Sequence, residues 1–199
     1  MIILDDIQGG DDWFKSRTGI PTVSGFDRII TTKGEPSKQR TKYMYQLAAE
    51  RITGRKTDTY QSAAMSRGIE MEAEARMVFE MENDCEVEQV GLCVSDCGRY
   101  GFSPDGLIDR QIGWECKCPL NYTHVEYLLK GKLPTAYFQQ VQGSLFISGY
   151  DRWIFYSYFP DLPPLQIDVL PDLDFHKALS DELDKFCNEL DELVVKLKP

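Results

Sequence analysis

A chain of 199 residues with 42% hydrophobic and 12% aromatic residues can bury one sizeable core and is too short for two comfortable domains. This composition argues against disorder, and the chain has neither an 18-residue apolar stretch nor the basic, apolar leader of a secretory signal. The net charge of −10 excludes a uniformly basic surface. We expect a single α/β domain that is soluble and cytoplasmic.

The amino-terminal part of the chain is predicted to be helical. Thr22 to Ile30 reads as a short helix, and Lys38 to Thr53 as a longer one that ends at Gly54. Ser62 to Glu82 also has a helical pattern. Its apolar residues recur at four-residue steps: Met65, Ile69, Ala73 and Met77.

From Glu86 the pattern changes to short β-type runs separated by Asp, Gly and Arg residues. The runs are marked by Val87, Val90, Leu92, Val94, Tyr100, Phe102, Leu107, Ile108 and Trp114. They predict an antiparallel meander. Helices are then predicted over Asn121–Leu129 and Thr135–Ile147, followed by strands over Asp151–Tyr158 and Leu165–Leu170.

Asp174 to Leu197 is predicted to be a terminal amphipathic helix. One stripe of this helix is apolar: Phe175, Leu179, Leu183, Phe186, Leu190, Val194 and Leu197. Such a stripe indicates a core or subunit contact. The single domain thus divides into a helical part at about 1–84, a sheet with helices at about 85–170 and the terminal helix at about 173–197.

The charged residues are distributed unevenly. Many acidic residues fall between Asp172 and Glu192, a segment that can face solvent away from any substrate. Basic residues crowd the first third of the chain: Lys33, Lys38, Arg40, Lys42, Arg51, Arg55 and Lys56. An acidic chain with such a basic rim remains compatible with a DNA channel.

A pattern typical of metal-dependent phosphodiester hydrolysis lies near the middle of the chain. Asp105 stands in Ser-Pro-Asp-Gly, and ten residues later comes Glu115, followed by Cys116 and Lys117. Because strand side chains alternate, Glu115 and Lys117 project the same way. Asp105, Glu115 and the main-chain carbonyl of Cys116 could then hold Mg²⁺. Lys117 would orient or help deprotonate the attacking water and offset charge on the phosphate oxygens.

The spacing by itself leaves a simpler interpretation open, a tight turn between two strands with a solvated Glu and Lys. The flanking helices add candidates. Glu72 could turn inward as a third carboxylate, although a glutamate-rich helix face is usually solvated. Gln139 and Gln140 lie in a mainly apolar helix, where a buried amide must find hydrogen bonds.

In this order and spacing, the acidic helix, Ser-Pro-Asp-Gly, Glu-Cys-Lys-Cys-Pro and the Gln-Val-Gln helix resemble the lambda exonuclease family. This family is the YqaJ-type viral recombinase branch of the PD-(D/E)XK nucleases. The resemblance runs from Trp13 to about Tyr158. It implies an α/β fold with a restriction-endonuclease-like core, in which a central mixed sheet is flanked by helices.

The resemblance also implies a role for each site residue. Asp105 and Glu115 would ligate Mg²⁺, for which Mn²⁺ can substitute, and Glu72 would assist at the metal. Lys117 would serve the nucleophilic water. Gln140, which directly precedes Val-Gln, is preferred to its neighbour as the residue that positions Lys117 or the water.

A second match lies near the amino terminus. The segment from Trp13 to Ser24 resembles the family stretch Arg-x-Gly-x-x-Thr-x-Ser, whose Arg and final Ser grip a 5′ phosphate together with the Ser of Ser-Pro-Asp-Gly. Here these residues would be Arg17, Ser24 and Ser103. A guanidinium fork and hydroxyl donors suit phosphate oxygens. From the residues alone, Ser24 reads as a helix cap and Arg17 as a surface ion pair.

The cysteines do not form a metal-site pattern. There is no Cys-x-x-Cys pair, and only His124 and His176 could join a zinc site. Some nucleases of this kind hold an iron-sulfur cluster with a late group of three cysteines, but here the late part offers only Cys187. We expect all six cysteines to be reduced and mostly buried.

The resemblance implies a Mg²⁺-dependent 5′→3′ exonuclease on double-stranded DNA ends, which releases mononucleotides and leaves 3′ single-stranded tails for phage-type recombination. It further implies a ring-shaped homotrimer, a single-strand annealing partner and, for a phage-encoded protein, the host cytoplasm. The alternatives are another nuclease of this fold, such as an endonuclease or repair nuclease, and a non-catalytic DNA-end binding protein. The chain departs from the family pattern at Pro21 and in the segment opened by Asn121 and Tyr122.

Overall fold

A computed structural model describes residues 1–57 and 63–198. The α-helices are α1 (Asp11–Arg17), α2 (Arg40–Thr53), α3 (Ala63–Asn83), α4 (Asn121–Lys130), α5 (Phe138–Ser148) and α6 (Leu173–Leu197). The strands are β1 (Ile2–Ile3), β2 (Cys93–Val94), β3 (Gly101–Phe102), β4 (Gly106–Ile108), β5 (Ile112–Lys117), β6 (Trp153–Ser157) and β7 (Leu165–Val169). Short 3₁₀ helices cover Val23–Arg28 and Thr135–Tyr137.

The central sheet is mixed and has the strand order β4-β5-β6-β7. β5 and β6 are parallel, whereas the other neighbours are antiparallel. A parallel pair requires the chain to cross back over the sheet, and α4 and α5 form that crossover. The strands β1, β2 and β3 form a separate antiparallel sheet. The predicted single meander was therefore wrong, because its runs divide between two sheets.

Both faces of the central sheet are covered by helices. Along β6, Trp153 and Phe155 belong to the core shared with α2, α5 and α6, while Ile154 and Tyr156 belong to the core shared with α3. Phe79 of α3 packs its ring 5.1 Å from that of Tyr156. The strand is buried along its whole length, as expected for a strand covered on two sides. The α/β architecture predicted from the sequence is confirmed.

Most predicted helices and strands lie within a few residues of the observed ones. The helix predicted to end at Gly54 does so, with Gly54 in the left-handed conformation at φ 66°. The short helix predicted over Thr22–Ile30 is present as a 3₁₀ helix over Val23–Arg28. Both α1 and β1 were missed, since each is short and α1 contains no fully buried residue.

The helix α3 was predicted correctly, but the apolar residues that indicated its period are not the ones that pack on the sheet. Ile69 and Met77 are 63% and 64% exposed, whereas Ala75 and Phe79 are completely buried. Two apolar stripes run along this helix, and only the one nearer the sheet packs against it. The predicted first residue, Ser62, lies outside the described residues.

The acidic helix α6 packs against α2 through ion pairs. Arg40 pairs with the buried Glu182 and also donates to Glu189 at 2.6 and 3.0 Å. Arg51 pairs with Asp191. These contacts correct two expectations. Acidic residues of the terminal segment face the protein instead of solvent, and two residues of the predicted basic rim, Arg40 and Arg51, form ion pairs with them.

The six cysteines are free thiols, as expected, and four of them are buried. In the part of the chain that the structure describes, no helix is sufficiently long and apolar to cross a membrane.

Replacing Arg40 with Met would leave the Glu182 carboxylate buried without its cation. Loss of one partner of a buried pair costs about 3 kcal/mol or more, so we expect the free energy of unfolding to fall by that amount in urea titrations. Glu189→Gln is the matched control, because Glu189 is half exposed and its pair contributes less than about 1 kcal/mol. Equal losses in the two variants would contradict a structural role for the buried pair.

Candidate active site

The first two strands of the central sheet bring Asp105 and Glu115 together. Asp105 immediately precedes β4, whose first residue, Gly106, pairs with Trp114 on β5. Because the two strands are antiparallel, Asp105 lies beside Glu115, the residue after Trp114. Gly106 is required here, because a Cβ at this position would lie 2.1 Å from Cγ1 of Val87. The backbone N–H of Cys116 donates to Asp105 Oδ2 at 2.7 Å, which fixes the carboxylate against β5.

The ammonium group of Lys117 lies among three oxygen atoms. Its Nζ is 2.9 Å from the carbonyl oxygen of Cys116 and 3.4 Å from Asp105 Oδ2, and it also contacts Glu115 Oε1. These are the same three groups that the sequence predicts as ligands of Mg²⁺. The ammonium group of Lys117 therefore contacts all three groups at once.

The helix α5 supplies an amide from one side of the sheet. Gln140 donates from Nε2 to Glu115 Oε1 at 2.5 Å, and Glu115 is only 1% exposed. The neighbouring Gln139 instead donates to the backbone oxygen of Ile30 at 3.2 Å. Of the two amides, the structure thus places Gln140 at the site, where it contacts the carboxylate rather than Lys117.

Glu72 on α3 completes the electrostatic surroundings. It lines a cavity of about 430 Å³ together with Cys116, Lys117 and other residues. Burial, and then the negative charge of Asp105, raises the pKa of both Glu72 and Glu115 to about 7. Burial alone would lower the pKa of Lys117, but Asp105 and Glu115 raise it well above its ordinary value. The site therefore carries more negative than positive charge.

The donor set fits a hard divalent cation. Two carboxylates and a backbone carbonyl are the oxygen ligands that Mg²⁺ prefers, and the excess of negative charge favours a further cation. Within residues 1–57 and 63–198, no three acidic, His or Cys side chains are grouped as a preformed metal centre. Asp105, Glu115 and the Cys116 carbonyl, which all contact Lys117 Nζ, are the groups that could hold the ion.

A second polar cluster forms around Ser103, two residues before Asp105. Arg17 Nη1 and the indole N–H of Trp13 both donate to Ser103 Oγ, at 2.8 and 2.9 Å. The guanidinium group of Arg17 lies 4.3 Å from the centre of the Trp13 ring. Ser24 is exposed, and its Oγ lies 3.3 Å from Thr22 Oγ1. The structure therefore brings Arg17 and Ser103 together and places Ser24 against Thr22.

Two aromatic residues at these sites were missed from the sequence. Trp13 holds both members of the Arg17–Ser103 pair, and the ring of Tyr137 lies 5.6 Å from Lys117 Nζ. Trp13 stands four residues before Arg17, a spacing that places two side chains on one helix face and could have identified it. Nothing local in the sequence singles out Tyr137.

A mixed sheet flanked by helices, with Asp105, Glu115 and Lys117 at paired strands, defines a nuclease of the PD-(D/E)XK class. The model of one sequence family, the YqaJ-like viral recombinase domain, matches residues 12–151. The chain belongs to this family. The resemblance inferred from the motifs is confirmed.

Solved structures agree with this assignment. The alkaline exonuclease LHK-Exo from Laribacter hongkongensis is 30% identical and superimposes with a TM-score of 0.85 over 94% of this chain and 96% of that one. A crystal structure of LHK-Exo in complex with dAMP matches with the same values. A phage-related exonuclease from Haemophilus somnus 129PT, 13% identical, shares the fold with a TM-score of 0.71 over 90% of this chain and 96% of its own. No curated protein sequence matches the chain.

The raised pKa values predict how the metal-free protein responds to pH. Because the pKa of Glu72 and Glu115 is about 7 in the folded protein against 4.5 ordinarily, the folded state binds protons that the unfolded state has released. The associated stability is present below about pH 4.5 and is lost as the pH rises through about 7. In EDTA, the melting temperature should therefore fall between about pH 5 and 8.

Glu72→Gln should flatten this decline, since the amide does not titrate. Glu70→Gln on the exposed side of the same helix is the control. Mg²⁺ at about pH 8 should raise the melting temperature of the parent more than that of Asp105→Asn. An unchanged pH slope in Glu72→Gln would contradict the electrostatic crowding of the site.

Proposed function

We propose that the protein is a Mg²⁺-dependent exonuclease that degrades double-stranded DNA from its 5′ ends, releases mononucleotides and leaves 3′ single-stranded tails. The observation that carries the proposal is the convergence of Asp105, Glu115 and the Cys116 carbonyl on the ammonium group of Lys117. Membership of the YqaJ-like family and the likeness to an alkaline exonuclease support it. The dAMP bound by LHK-Exo is a mononucleotide, which accords with this product.

The residues of the site divide the chemical work. Asp105, Glu115 and the Cys116 carbonyl would hold the ion, which when bound supplies Lewis acidity and lowers the pKa of a bound water. Gln140 holds the Glu115 carboxylate in place through its amide. Because its pKa is raised, Lys117 is an ammonium group at neutral pH. Beside the ion, Lys117 would orient the water or help to deprotonate it, and would offset negative charge on the phosphate oxygens.

The arrangement of the two sites suits attack from a DNA end. Ser103 and Asp105 lie in the same turn, and two residues of chain span at most about 7 Å, the scale of a single nucleotide along a strand. A terminal phosphate held by Arg17 and Ser103 would place the first phosphodiester bond at the carboxylates. Ser24 would add a hydroxyl donor by rotation of its exposed side chain.

The proposal extends to the assembly and its partners. As the family resemblance implies, we propose a homotrimeric ring around the duplex and a single-strand annealing protein that takes the 3′ tail. A closed ring confers processivity, because the enzyme cannot leave the DNA between cleavages. A native mass measurement that gives a monomer would contradict the ring.

Lys117→Met removes the ammonium group while keeping the apolar stem. We expect Mg²⁺-dependent release of mononucleotides from linear duplex to fall about 10²–10³-fold, the usual loss for one electrostatic group at a transition state. The control Lys185→Met on the exposed side of α6 should keep the parent rate. EDTA should abolish cleavage, and closed circular duplex should resist it. Equal cutting of circles and linear DNA would indicate an endonuclease of the same fold.

Arg17→Ala removes the guanidinium group from the second cluster. The rate on 5′-phosphorylated ends should fall at least about tenfold, since a hydrogen bond to a charged group contributes about 1.5–3 kcal/mol. The rate on 5′-hydroxyl ends should fall less. Arg152→Ala is the control, because Arg152 precedes β6 at the end of the sheet opposite Lys117 and pairs only with Asp168 among the described residues. A rate on phosphorylated ends unaffected by Arg17→Ala would exclude the terminal phosphate site.

A further inference from the structure

Lys56 follows α2 and has no role in the sites described so far. Its Nζ lies 4.9 Å from the ring centre of Phe14 and 5.7 Å from that of Trp13. The indole ring of Trp13 also carries the guanidinium group of Arg17 at 4.3 Å. Cations are attracted to the faces of aromatic rings. These two rings therefore gather two positive charges from distant parts of the sequence.

The two positive charges act on each other. Burial, and then the charge of Arg17, lowers the pKa of Lys56. In the described ranges 1–57 and 63–198, neither cation forms an ion pair with an acidic side chain. The nearby Glu50 carboxylate offsets only part of their repulsion, and an anion that contacts both cations would relieve the rest. The cluster is therefore electrostatically suited to a phosphate.

A buried carboxylate holds the two segments that present these cations. Glu50 on α2 is 3% exposed and accepts hydrogen bonds from the backbone N–H of Gly19 at 3.0 Å and of Thr57 at 3.1 Å. Gly19 is two residues from Arg17, and Thr57 adjoins Lys56. One side chain thus fixes both segments, and its negative charge offsets part of the repulsion between the cations.

Ser103 provides a neutral donor in the same place. Its Oγ accepts hydrogen bonds from both Arg17 and Trp13. A hydroxyl has two lone pairs and one hydrogen, so these contacts use its accepting capacity and leave the O–H to donate. A phosphate oxygen is the natural acceptor for that hydrogen beside two cations.

We propose that Lys56 is the second cation of the terminal phosphate site, and that Arg17 and Lys56 together select a doubly charged phosphomonoester over a singly charged phosphodiester. A terminal phosphate carries a charge of about −1.5 to −2 at pH 7, whereas each phosphate within a strand carries about −1. Two cations gain more from the doubly charged group. This assignment rests on the proposed function and specifies how a DNA end is distinguished from the interior of a strand.

The test measures binding in EDTA, where no cleavage occurs, by fluorescence anisotropy of short duplexes. The duplexes carry a 5′ phosphate, a singly charged 5′ methyl phosphate or a 5′ hydroxyl. The parent should bind the phosphate end more tightly than the methyl phosphate end. Lys56→Gln should reduce that ratio of dissociation constants about tenfold, whereas Lys56→Arg should retain most of it. The control Lys185→Gln should keep the parent ratio.

Two results would overturn the assignment. Lys56→Gln could weaken binding of all three ends equally, which would make Lys56 a general DNA contact, or the parent could fail to distinguish phosphate from methyl phosphate. Melting temperatures of the variants check that each is folded. Mg²⁺-dependent cleavage by the same proteins is measured separately, so a parent that discriminates ends without cleaving DNA would refute the exonuclease and keep the phosphate site.

Discussion

The pairing of Asp105 and the buried Glu115 with the single ammonium of Lys117, in a cavity that Glu72 also lines, is the constraint on which the site depends. Glu115 is almost wholly buried, and a buried carboxylate is tolerated only when it is paired and hydrogen-bonded. Lys117 and Gln140 provide those contacts. The three acids still outnumber the single ammonium group, and burial, followed by the charge of Asp105, raises the pKa of Glu72 and Glu115 to about 7. Affinity for a further cation follows from this imbalance.

The sheet topology supplies each member of this cluster. The β4–β5 pairing places Asp105 against Glu115, and the parallel β5–β6 pair requires a crossover that carries α5 and therefore Gln140. The helix α3 covers the opposite face and presents Glu72. The same turn that carries Asp105 also carries Ser103, so the carboxylate cluster and the Arg17–Ser103 pair are linked by one short segment.

The sequence predicted long elements well and their surroundings less well. The helices α2 and α6 have strong apolar periods and clear ends, so their limits were predicted within two residues. In α3 the sequence carries two apolar stripes, and periodicity cannot tell which one meets a sheet that lies elsewhere in the chain. Arg40 was grouped with a basic rim compatible with a DNA channel, because its acidic partners on α6 are distant in sequence. The division of the meander between two sheets was missed because β1, the strand that pairs with β2, is also distant in sequence.

By itself, the sequence determined the features that depend on neighbouring residues. Strand alternation places Glu115 and Lys117 on one side, and the spacing of the motifs identifies the family. The tertiary structure alone decided which distant groups meet. It assigned the Gln140 amide to Glu115 and gathered Arg17, Ser103 and Lys56 around Trp13. These contacts arise from the packing of helices on a sheet, and packing between distant segments leaves no local pattern in the chain.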